Sequence, residues 1–125
     1  MIVGVGIDVS EVERIREVVE RHGQRFLERV FCAGEIAYVE SKANRYERYA
    51  ARFAAKEAAM KAIGTGWKRG VRWQDFEVVN LPTGRPTLQF HGAAAGIAQS
   101  LGVRHTALSL THTAQQGVAI VILET

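Results

Sequence analysis

The spacing of hydrophobic positions changes about half way along the chain. Residues 2–9 are apolar and rich in β-branched side chains, which is typical of a buried strand. Ser10 and Glu13 have the spacing of a capping box, so a first helix is predicted to begin there. Its core-facing side chains are predicted from helical spacing to be Val12, Ile15, Val19, His22 and Phe26.

The residues that follow also favour helices, up to the glycines at 64–66. After them the hydrophobic positions recur with the two-residue period of strands. Residues 34–42 predict a weak helix, whereas residues 45–63 predict the longest helix, ending at the glycines of residues 64–66. Both prolines of the chain lie in the turn at residues 81–86. The remaining elements are predicted as strands at 73–79 and 87–91, a helix at 92–101, and a hairpin of strands at 105–112 and 117–124.

This order of elements predicts an α+β fold. A mostly antiparallel sheet is expected to pack against one long helix and several shorter ones, because the chain lacks a regular alternation of strand and helix. The 125 residues contain no linker and no low-complexity tract, so residues 1–125 are predicted to form a single domain.

The amino-acid composition limits the kinds of binding partner and compartment that are expected for the chain. The chain has 16 Lys and Arg against 13 Asp and Glu, a net charge of +3 that is too small for a nucleic-acid-binding surface but suits small anions or an acidic protein. Cys32 is the only cysteine, so no intrachain disulfide forms and a cytoplasmic location is expected. No apolar run approaches the roughly 20 residues of a membrane span, so no membrane association is predicted.

Glu57 lies in the middle of the long helix. At about 100° per residue it falls within an arc of side chains that are predicted to be buried. That arc is formed by Tyr46, Tyr49, Ala50, Phe53 and Met60. A carboxylate at this position needs compensation, either by an ion pair with Lys61 one turn later or by a metal or phosphate site.

Asp8 stands out on the first strand in the same way. Side chains alternate along a strand, so Gly4, Gly6 and Asp8 share one face, and the glycines allow another backbone or a ligand to come close. Asp8 is either a cap for the following helix or a ligand. Together with Glu57 it offers two hard oxygen ligands of the kind that Mg²⁺ takes beside substrate phosphate and water.

Cations are grouped near these two carboxylates. Arg52, Lys56 and Lys61 follow the long helix and Arg85 lies in the proline-rich turn, so together they suit a polyanionic ligand, although each alone is typical of a solvated surface. No P-loop or dinucleotide-binding glycine motif is present.

The first helix carries a separate basic row. Arg14, Val18, Arg21 and Arg25 are spaced at i, i+4, i+7 and i+11, away from the predicted core face. Such a row is either a solvated face, since four glutamates are interleaved, or a surface that receives an acidic helix.

These residues lie in stretches that resemble the motifs of a known family. Gly6-Ile7-Asp8-Val9 with Val12-Glu13-Arg14-Ile15 resembles the opening signature of the holo-acyl-carrier-protein synthases, the small type of 4′-phosphopantetheinyl transferase. The stretch Arg52-Phe53-Ala54-Ala55-Lys56-Glu57-Ala58-Ala59-Met60-Lys61-Ala62 resembles the second signature. Gly84-Arg85-Pro86 and Leu108-Ser109-Leu110-Thr111-His112 follow in the family order, so the resemblance covers essentially the whole chain.

The resemblance implies a reaction in fatty acid biosynthesis. Coenzyme A donates its 4′-phosphopantetheine group to a serine of apo-acyl carrier protein, which leaves adenosine 3′,5′-bisphosphate and requires Mg²⁺. The resemblance also implies a homotrimer with sites between subunits. The open face at Gly4 and Gly6 is expected to suit that arrangement.

The resemblance assigns roles to single residues. Asp8 and Glu57 match the metal ligands and Lys61 the lysine near the pyrophosphate, and these three are the catalytic residues. Coenzyme A contacts are implied for Arg52, Lys56, Lys61, Gly84, Arg85, Pro86 and Ser109, and carrier-protein docking for Arg14, Val18, Arg21 and Arg25. The chain departs from the family pattern at Ala107, where a histidine is common, so His105 receives no role.

Two other functions use parts of the same pattern. A metal-dependent phosphodiesterase also employs paired carboxylates with Mg²⁺, although it usually has more acidic ligands or a second metal. A non-catalytic module that binds acidic proteins through the arginine row leaves Glu57 without an explanation.

Overall fold

The structure is a computed structural model that describes residues 1–125. The helices are α1 (Val12–His22), α2 (Gln24–Val30), α3 (Ala33–Glu40), α4 (Arg45–Ala62) and α5 (Gly92–Ser100), with a 3₁₀ turn at Trp73–Asp75. The strands are β1 (Ile2–Glu11), β2 (Phe76–Asn80), β3 (Pro86–Phe90), β4 (His105–His112) and β5 (Gln116–Glu124).

Every strand pairing is antiparallel, and the strands form two sheets. The larger sheet has the order β1-β5-β4, in which Asp8 lies opposite Ala119, and β2 and β3 form a separate hairpin with Val78 opposite Leu88. The predicted α+β class with antiparallel strands and one long helix is therefore confirmed.

Helix α4 packs against the larger sheet at very short range. A Cβ on Gly6 would overlap the carbonyl of Ala58, and one on Gly4 would overlap that of Ala62, so only glycine allows this approach. The expectation that the glycine face stays open for another subunit was wrong, because α4 of the same chain covers it.

The start of α1 differs from the prediction. Strand β1 continues through Glu11, and Ser10 is buried in the sheet opposite Gly117. Glu11 takes the N-cap position without a side-chain hydrogen bond. The predicted capping box is therefore wrong, because strand pairing with β5 extends beyond the residue that was expected to begin the helix.

Two helices replace the predicted first helix. Gly23 has a positive φ of 56°, which ends α1, and α2 begins at Gln24 on a new axis. His22 is exposed rather than core-facing, whereas Phe26 packs against the helical core from α2. Spacing counted across Gly23 consequently carries no information about a shared face.

Helix α4 is buried on almost all sides, not along one arc. Small residues such as Ala58 pack against the sheet, and Tyr49 packs on the opposite side among α1, α2 and α3. Glu57 lies on the less buried side, next to Phe53 in the helical wheel. The apolar arc predicted around Glu57 was wrong because two separate cores meet this helix.

The outer face of the larger sheet is apolar and open to solvent. Val5, Ile7 and Val9 are each about half exposed, and the neighbouring positions of β5 are Ile120 and Ile122.

None of the helices has the length and apolar composition that a bilayer crossing needs.

Candidate active site

Asp8 lies near the end of β1 and faces α4. Its Oδ1 accepts a hydrogen bond of 2.9 Å from Lys61 Nζ, and the same ammonium donates to the carbonyl of Ile7 at 3.0 Å. The alternation of β1 and the glycines beside Asp8 therefore bring this carboxylate against the last turn of α4. Asp8 does not cap the first helix, because Glu11 occupies the N-cap position of α1.

Glu57 lines the same cavity as Asp8. The cavity has a volume of about 300 Å³ and is also lined by Arg14, Val18 and Phe53. Two carboxylates separated by 49 positions in the sequence thus converge, as predicted. The alternative of an ion pair between Glu57 and Lys61 is not present, because Lys61 binds Asp8 instead.

The electrostatic state of Glu57 is unusual. Burial raises the pKa of the Glu57 carboxyl above its usual range, and the charge of Asp8 raises it further, while Lys61 and Arg14 lower it. A partly buried carboxylate beside a like charge gains from a cation placed between the two.

The donor set fits a hard divalent cation. Asp8 and Glu57 provide two oxygen ligands, and the adjoining cavity leaves space for water and phosphate oxygens, which is the coordination that Mg²⁺ commonly takes. The chain contains no group of three or more His, Cys, Asp or Glu side chains placed to hold a metal. Glu11 also lines the cavity but does not complete such a group, so the candidate ligands are the pair Asp8 and Glu57.

The predicted basic row is divided between two helices. Arg14 and Val18 lie on α1 beside the two carboxylates, and Arg21 follows on the exposed side of α1. Arg25 belongs to α2 and lines a neighbouring cavity of about 260 Å³ with Phe26. The single helical row was wrong because of the break at Gly23, although all three arginines remain exposed.

A second cavity contains part of the predicted coenzyme A set. Arg52, Gly84 and Pro86 line a space of about 270 Å³, and Arg52 is only 3% exposed. Its Nη2 donates to Asn80 Oδ1 at 3.1 Å, and its guanidinium lies 4.7 Å from the ring centre of Tyr38.

The environment of Arg52 leaves part of its hydrogen-bonding capacity unused. Burial lowers the pKa of the guanidinium, although Tyr38 and Glu35 counteract that effect. Its buried Nε has no hydrogen-bond partner in the chain. Because a buried N–H without a partner is costly, this group is suited to an acceptor oxygen supplied from outside.

Lys56 takes no part in either cavity. Its ammonium is completely buried and donates to Glu35 Oε1 at 2.8 Å, to the carbonyl of Trp73 at 3.3 Å and to the carbonyl of Phe76. The prediction that Lys56 contacts coenzyme A is therefore wrong, because all three donors of this ammonium are used inside the protein.

Two further predicted residues lie apart from these cavities. Arg85 is exposed on the β2–β3 turn, and Ser109 is exposed on the outer face of the larger sheet, opposite Ile120. The two cavities also lie on different sides of α4, because Glu57 follows Arg52 by five residues, which corresponds to about 140° around the helix. One chain consequently does not bring all the predicted residues together.

Several residues of the second cavity were not predicted. Arg48 precedes Arg52 by one turn, and His112 ends β4 with its ring bonded to Glu47. The helical spacing of Arg48 and Arg52 was available in the sequence. No local pattern connects His112 with Glu47, since the two are 65 positions apart.

Comparisons with known proteins agree along the whole chain. Residues 4–121 match the family model described as the 4′-phosphopantetheinyl transferase superfamily. A holo-[acyl-carrier-protein] synthase from Solibacter usitatus is 66% identical over 124 residues, and one from Koribacter versatilis is 60% identical over 124 residues. Each alignment covers 99% of this chain and 99% of the relative.

Solved structures give the same result. A crystal structure of holo-[acyl-carrier-protein] synthase from Neisseria meningitidis superposes with a TM-score of 0.90 at 28% identity, covering 100% of both chains. The corresponding protein from Bacillus anthracis, in complex with CoA (3′,5′-ADP), superposes with a TM-score of 0.81 at 35% identity and covers 100% of this chain and 98% of the other.

Proposed function

The chain belongs to the 4′-phosphopantetheinyl transferase superfamily, and we propose that Asp8, Glu57 and Lys61 carry out its reaction. The enzyme transfers the 4′-phosphopantetheine group from coenzyme A to a serine of apo-acyl carrier protein and releases adenosine 3′,5′-bisphosphate. The observation that supports these three residues is the convergence of two carboxylates and one lysine beside a single cavity. We place the activity in fatty acid biosynthesis and, since the lone Cys32 suits a reducing compartment, in the cytoplasm.

A divalent cation fits the two carboxylates. Asp8 and Glu57 would hold Mg²⁺, whose charge offsets the negative charge that builds up on the diphosphate oxygens. Burial and then the charge of Asp8 raise the pKa of Glu57, and the cation would offset the repulsion between the two carboxylates.

The remaining chemistry belongs to the side chains. The Oγ atom of the carrier serine forms a bond to the phosphorus next to pantetheine, and the bond from this phosphorus to the bridging oxygen of the diphosphate breaks. The electron pair leaves with adenosine 3′,5′-bisphosphate, whose charge Lys61 compensates. Glu57 accepts the serine proton, directly or through one water.

Coenzyme A would reach both cavities only across two copies of the chain. Arg52, Gly84 and Pro86 lie on a different side of α4 from Glu57, and Ser109 lies on the outer sheet face. We therefore propose a homotrimer that packs through the apolar outer face of the sheet. In it, the Arg52 side of one subunit, with Arg85 of its turn, contacts coenzyme A held at the Asp8 side of the next.

The acidic carrier would dock on α1 and α2. Arg14 and Val18 adjoin the catalytic cavity, and Arg21 and Arg25 extend the basic surface away from it. Reversing the charge of Arg14 and Arg21 together is expected to raise the KM for the carrier roughly tenfold and to leave the KM for coenzyme A unchanged. Equal weakening of both substrates would contradict this docking surface.

A mass spectrum of apo-carrier tests the proposed catalytic residues. With coenzyme A and Mg²⁺ the wild-type protein is expected to add one phosphopantetheine group to the carrier serine. Asp8→Asn and Glu57→Gln are expected to lose at least about 10²-fold of this rate while keeping wild-type circular dichroism. Wild-type turnover in both variants would refute the assignment, and hydrolysis of coenzyme A without carrier would favour a phosphodiesterase.

A further inference from the structure

A cavity of about 620 Å³ lies between α5, β3 and β4, and the proposed reaction does not use it. Thr106, which lines this α5 cavity, pairs with Leu123 of β5, whereas Asp8 lies opposite Ala119 of the same strand. Four strand residues span about 13 Å, so the cavity is displaced by that distance along the sheet from the catalytic carboxylates. Because side chains alternate along β4, Thr106 also points away from the apolar outer face of the sheet.

The turn that follows α5 builds one wall of the α5 cavity. Gly102 has a φ of 79°, and its N–H donates to the carbonyl of Gln99 at 3.0 Å. The N–H of Val103 donates to the carbonyl of Ala98 at 3.1 Å. These two bonds form a Schellman motif, which ends the helix and folds the chain back beside it. Arg104 comes next, and its backbone N–H is bonded to the end of β5, so the position of this residue at the cavity is fixed.

The floor of the α5 cavity is apolar. Phe90 and Val103 pack against the main core but are only partly buried, and both line the cavity. Ala95 and Ala98 of α5 contribute no more than methyl groups to the wall beside them. A ligand that covered this floor would remove apolar surface from water, which favours binding. The volume also lies within the roughly 300–1,000 Å³ that is usual for small-molecule sites.

The polar side chains of the α5 cavity have unused hydrogen-bonding capacity. Arg104 is the only charged residue that lines the cavity, and it forms no ion pair within the chain. Gln99 and Thr106 also line it, and neither side chain is hydrogen-bonded to the protein. The carbonyl end of α5 carries about half a negative charge, which the full charge of Arg104 exceeds. The cavity therefore suits a ligand with a single anionic group.

We propose that the α5 cavity is a second ligand site that binds a medium-chain fatty carboxylate, with the carboxylate against Arg104 and the alkyl chain over Phe90 and Val103. An arginine binds a carboxylate through two parallel hydrogen bonds, and one cation does not balance a diphosphate or a nucleotide. Apart from the one aromatic ring, the apolar contacts are aliphatic, which suits a flexible chain. The inference concerns a site apart from the catalytic cavity and does not depend on the proposed function.

A titration of the isotope-labelled full chain with decanoate, followed through the backbone amide shifts, tests where the ligand binds. The largest shifts are expected at Val103, Arg104 and Thr106. Octanoate is expected to bind at the same place roughly tenfold more weakly, because two fewer CH₂ groups are buried. Largest shifts on the outer face of the sheet, at Val5 and Ile7, would mean adventitious binding of an alkyl chain there and would overturn the inference.

Variants of the cavity test the chemistry of recognition. Arg104→Gln is expected to weaken decanoate roughly tenfold and to change the binding of octanol, a neutral ligand, less than about twofold. The control Lys68→Gln removes the same charge from an exposed position outside the cavity and is expected to bind decanoate as the wild type does. Ala95→Leu fills the cavity with a residue that favours helix, so decanoate is expected to bind at least about fivefold more weakly while circular dichroism is unchanged. Wild-type affinity of Arg104→Gln for decanoate would overturn the carboxylate assignment.

Competition with a nucleotide separates the α5 cavity from the substrate site. Saturating adenosine 3′,5′-bisphosphate is expected to change the affinity for decanoate less than about twofold, because the two ligands occupy different cavities. Displacement of decanoate by the nucleotide would overturn the inference and would leave the proposed transfer reaction unaffected. Loss of transfer activity with decanoate still bound at Arg104 would instead refute the proposed function alone.

Discussion

Helix α4 carries two lysine–carboxylate pairs that have almost the same geometry and very different surroundings. Lys56 lies 2.8 Å from Glu35 with both side chains 0% exposed, whereas Lys61 lies 2.9 Å from Asp8 with side chains 54% and 15% exposed. In the buried pair every lysine donor has an internal partner. In the open pair the ammonium is half exposed and holds Asp8, which lines a cavity together with Glu57, so solvent or a ligand can reach this pair.

The difference shows that distance alone does not identify a functional ion pair. The Lys56–Glu35 pair joins α4 to α3 and β2, since Glu35 Oε2 also accepts from the backbone N–H of Val78. Removing one member leaves an uncompensated buried charge. The Lys61–Asp8 pair contributes little to folding because solvent screens it.

The largest effect is expected from Lys56→Met. Leaving Glu35 buried without its cation is expected to cost about 3–5 kcal/mol in the free energy of unfolding. Chemical denaturation monitored by circular dichroism measures it. The double variant Lys56→Met/Glu35→Gln is expected to regain at least about 1 kcal/mol, because no charge is then buried. Wild-type stability of the single variant would mean that this pair is not the internal link described here.

Cys32 lies beside the buried pair and is itself partly buried. Burial raises the pKa of the Cys32 thiol to about 11, Glu35 raises it as well, and Lys56 lowers it. The thiolate is the reactive form and is lost as pH falls below the pKa, so at pH 8 roughly 100-fold less thiolate is present than for a thiol with a pKa of 9.0.

Alkylation by iodoacetamide measures this effect. At pH 8 the native protein is expected to react about 100-fold more slowly than the same protein in denaturant, and the native rate is expected to rise about tenfold for each pH unit above 8. Equal rates in native and denatured protein would show that Cys32 lies outside the buried network.

Lys61→Met is expected to have a smaller effect, and to change the transfer reaction more than the stability. If Lys61 compensates the leaving group as proposed, its loss is expected to reduce kcat/KM for transfer roughly 10- to 50-fold, while the free energy of unfolding changes by about 1 kcal/mol or less. Transfer kinetics and denaturation of the same preparation test both statements. A loss of stability as large as that of Lys56→Met would remove the distinction between the two pairs.

The sequence was sufficient to predict most of the elements and the proximity of Asp8 and Glu57, because these depend on local periodicity and on unusual residue types. Asp8 was found from strand alternation beside two glycines, and this reasoning agrees with the structure. Glu57 was found for a partly incorrect reason, since it lies on the open side of α4. The resemblance to the family motifs supplied the proposed roles of Lys61 and of the coenzyme A contacts, which periodicity alone does not predict.

The remaining residues depend on contacts between distant segments. Lys56 was assigned to coenzyme A from its grouping with other cations and from the motif resemblance, and nothing near it in the sequence indicates Glu35, which lies 21 positions earlier. The pairing of Glu47 with His112 was unpredictable for the same reason. The break at Gly23 was missed because one positive φ redirects the chain without changing the hydrophobic period strongly.

Binding of Mn²⁺, a paramagnetic substitute for Mg²⁺, tests the central claim that Asp8 and Glu57 share one cation. Electron paramagnetic resonance titration in the presence of adenosine 3′,5′-bisphosphate is expected to give one bound Mn²⁺ per chain for the wild-type protein. The control variant Glu13→Gln, which changes a carboxylate that pairs with Arg16 at the surface, is expected to give the same stoichiometry. Asp8→Asn and Glu57→Gln are each expected to weaken binding at least about tenfold. Unchanged affinity and stoichiometry in both variants would contradict the account.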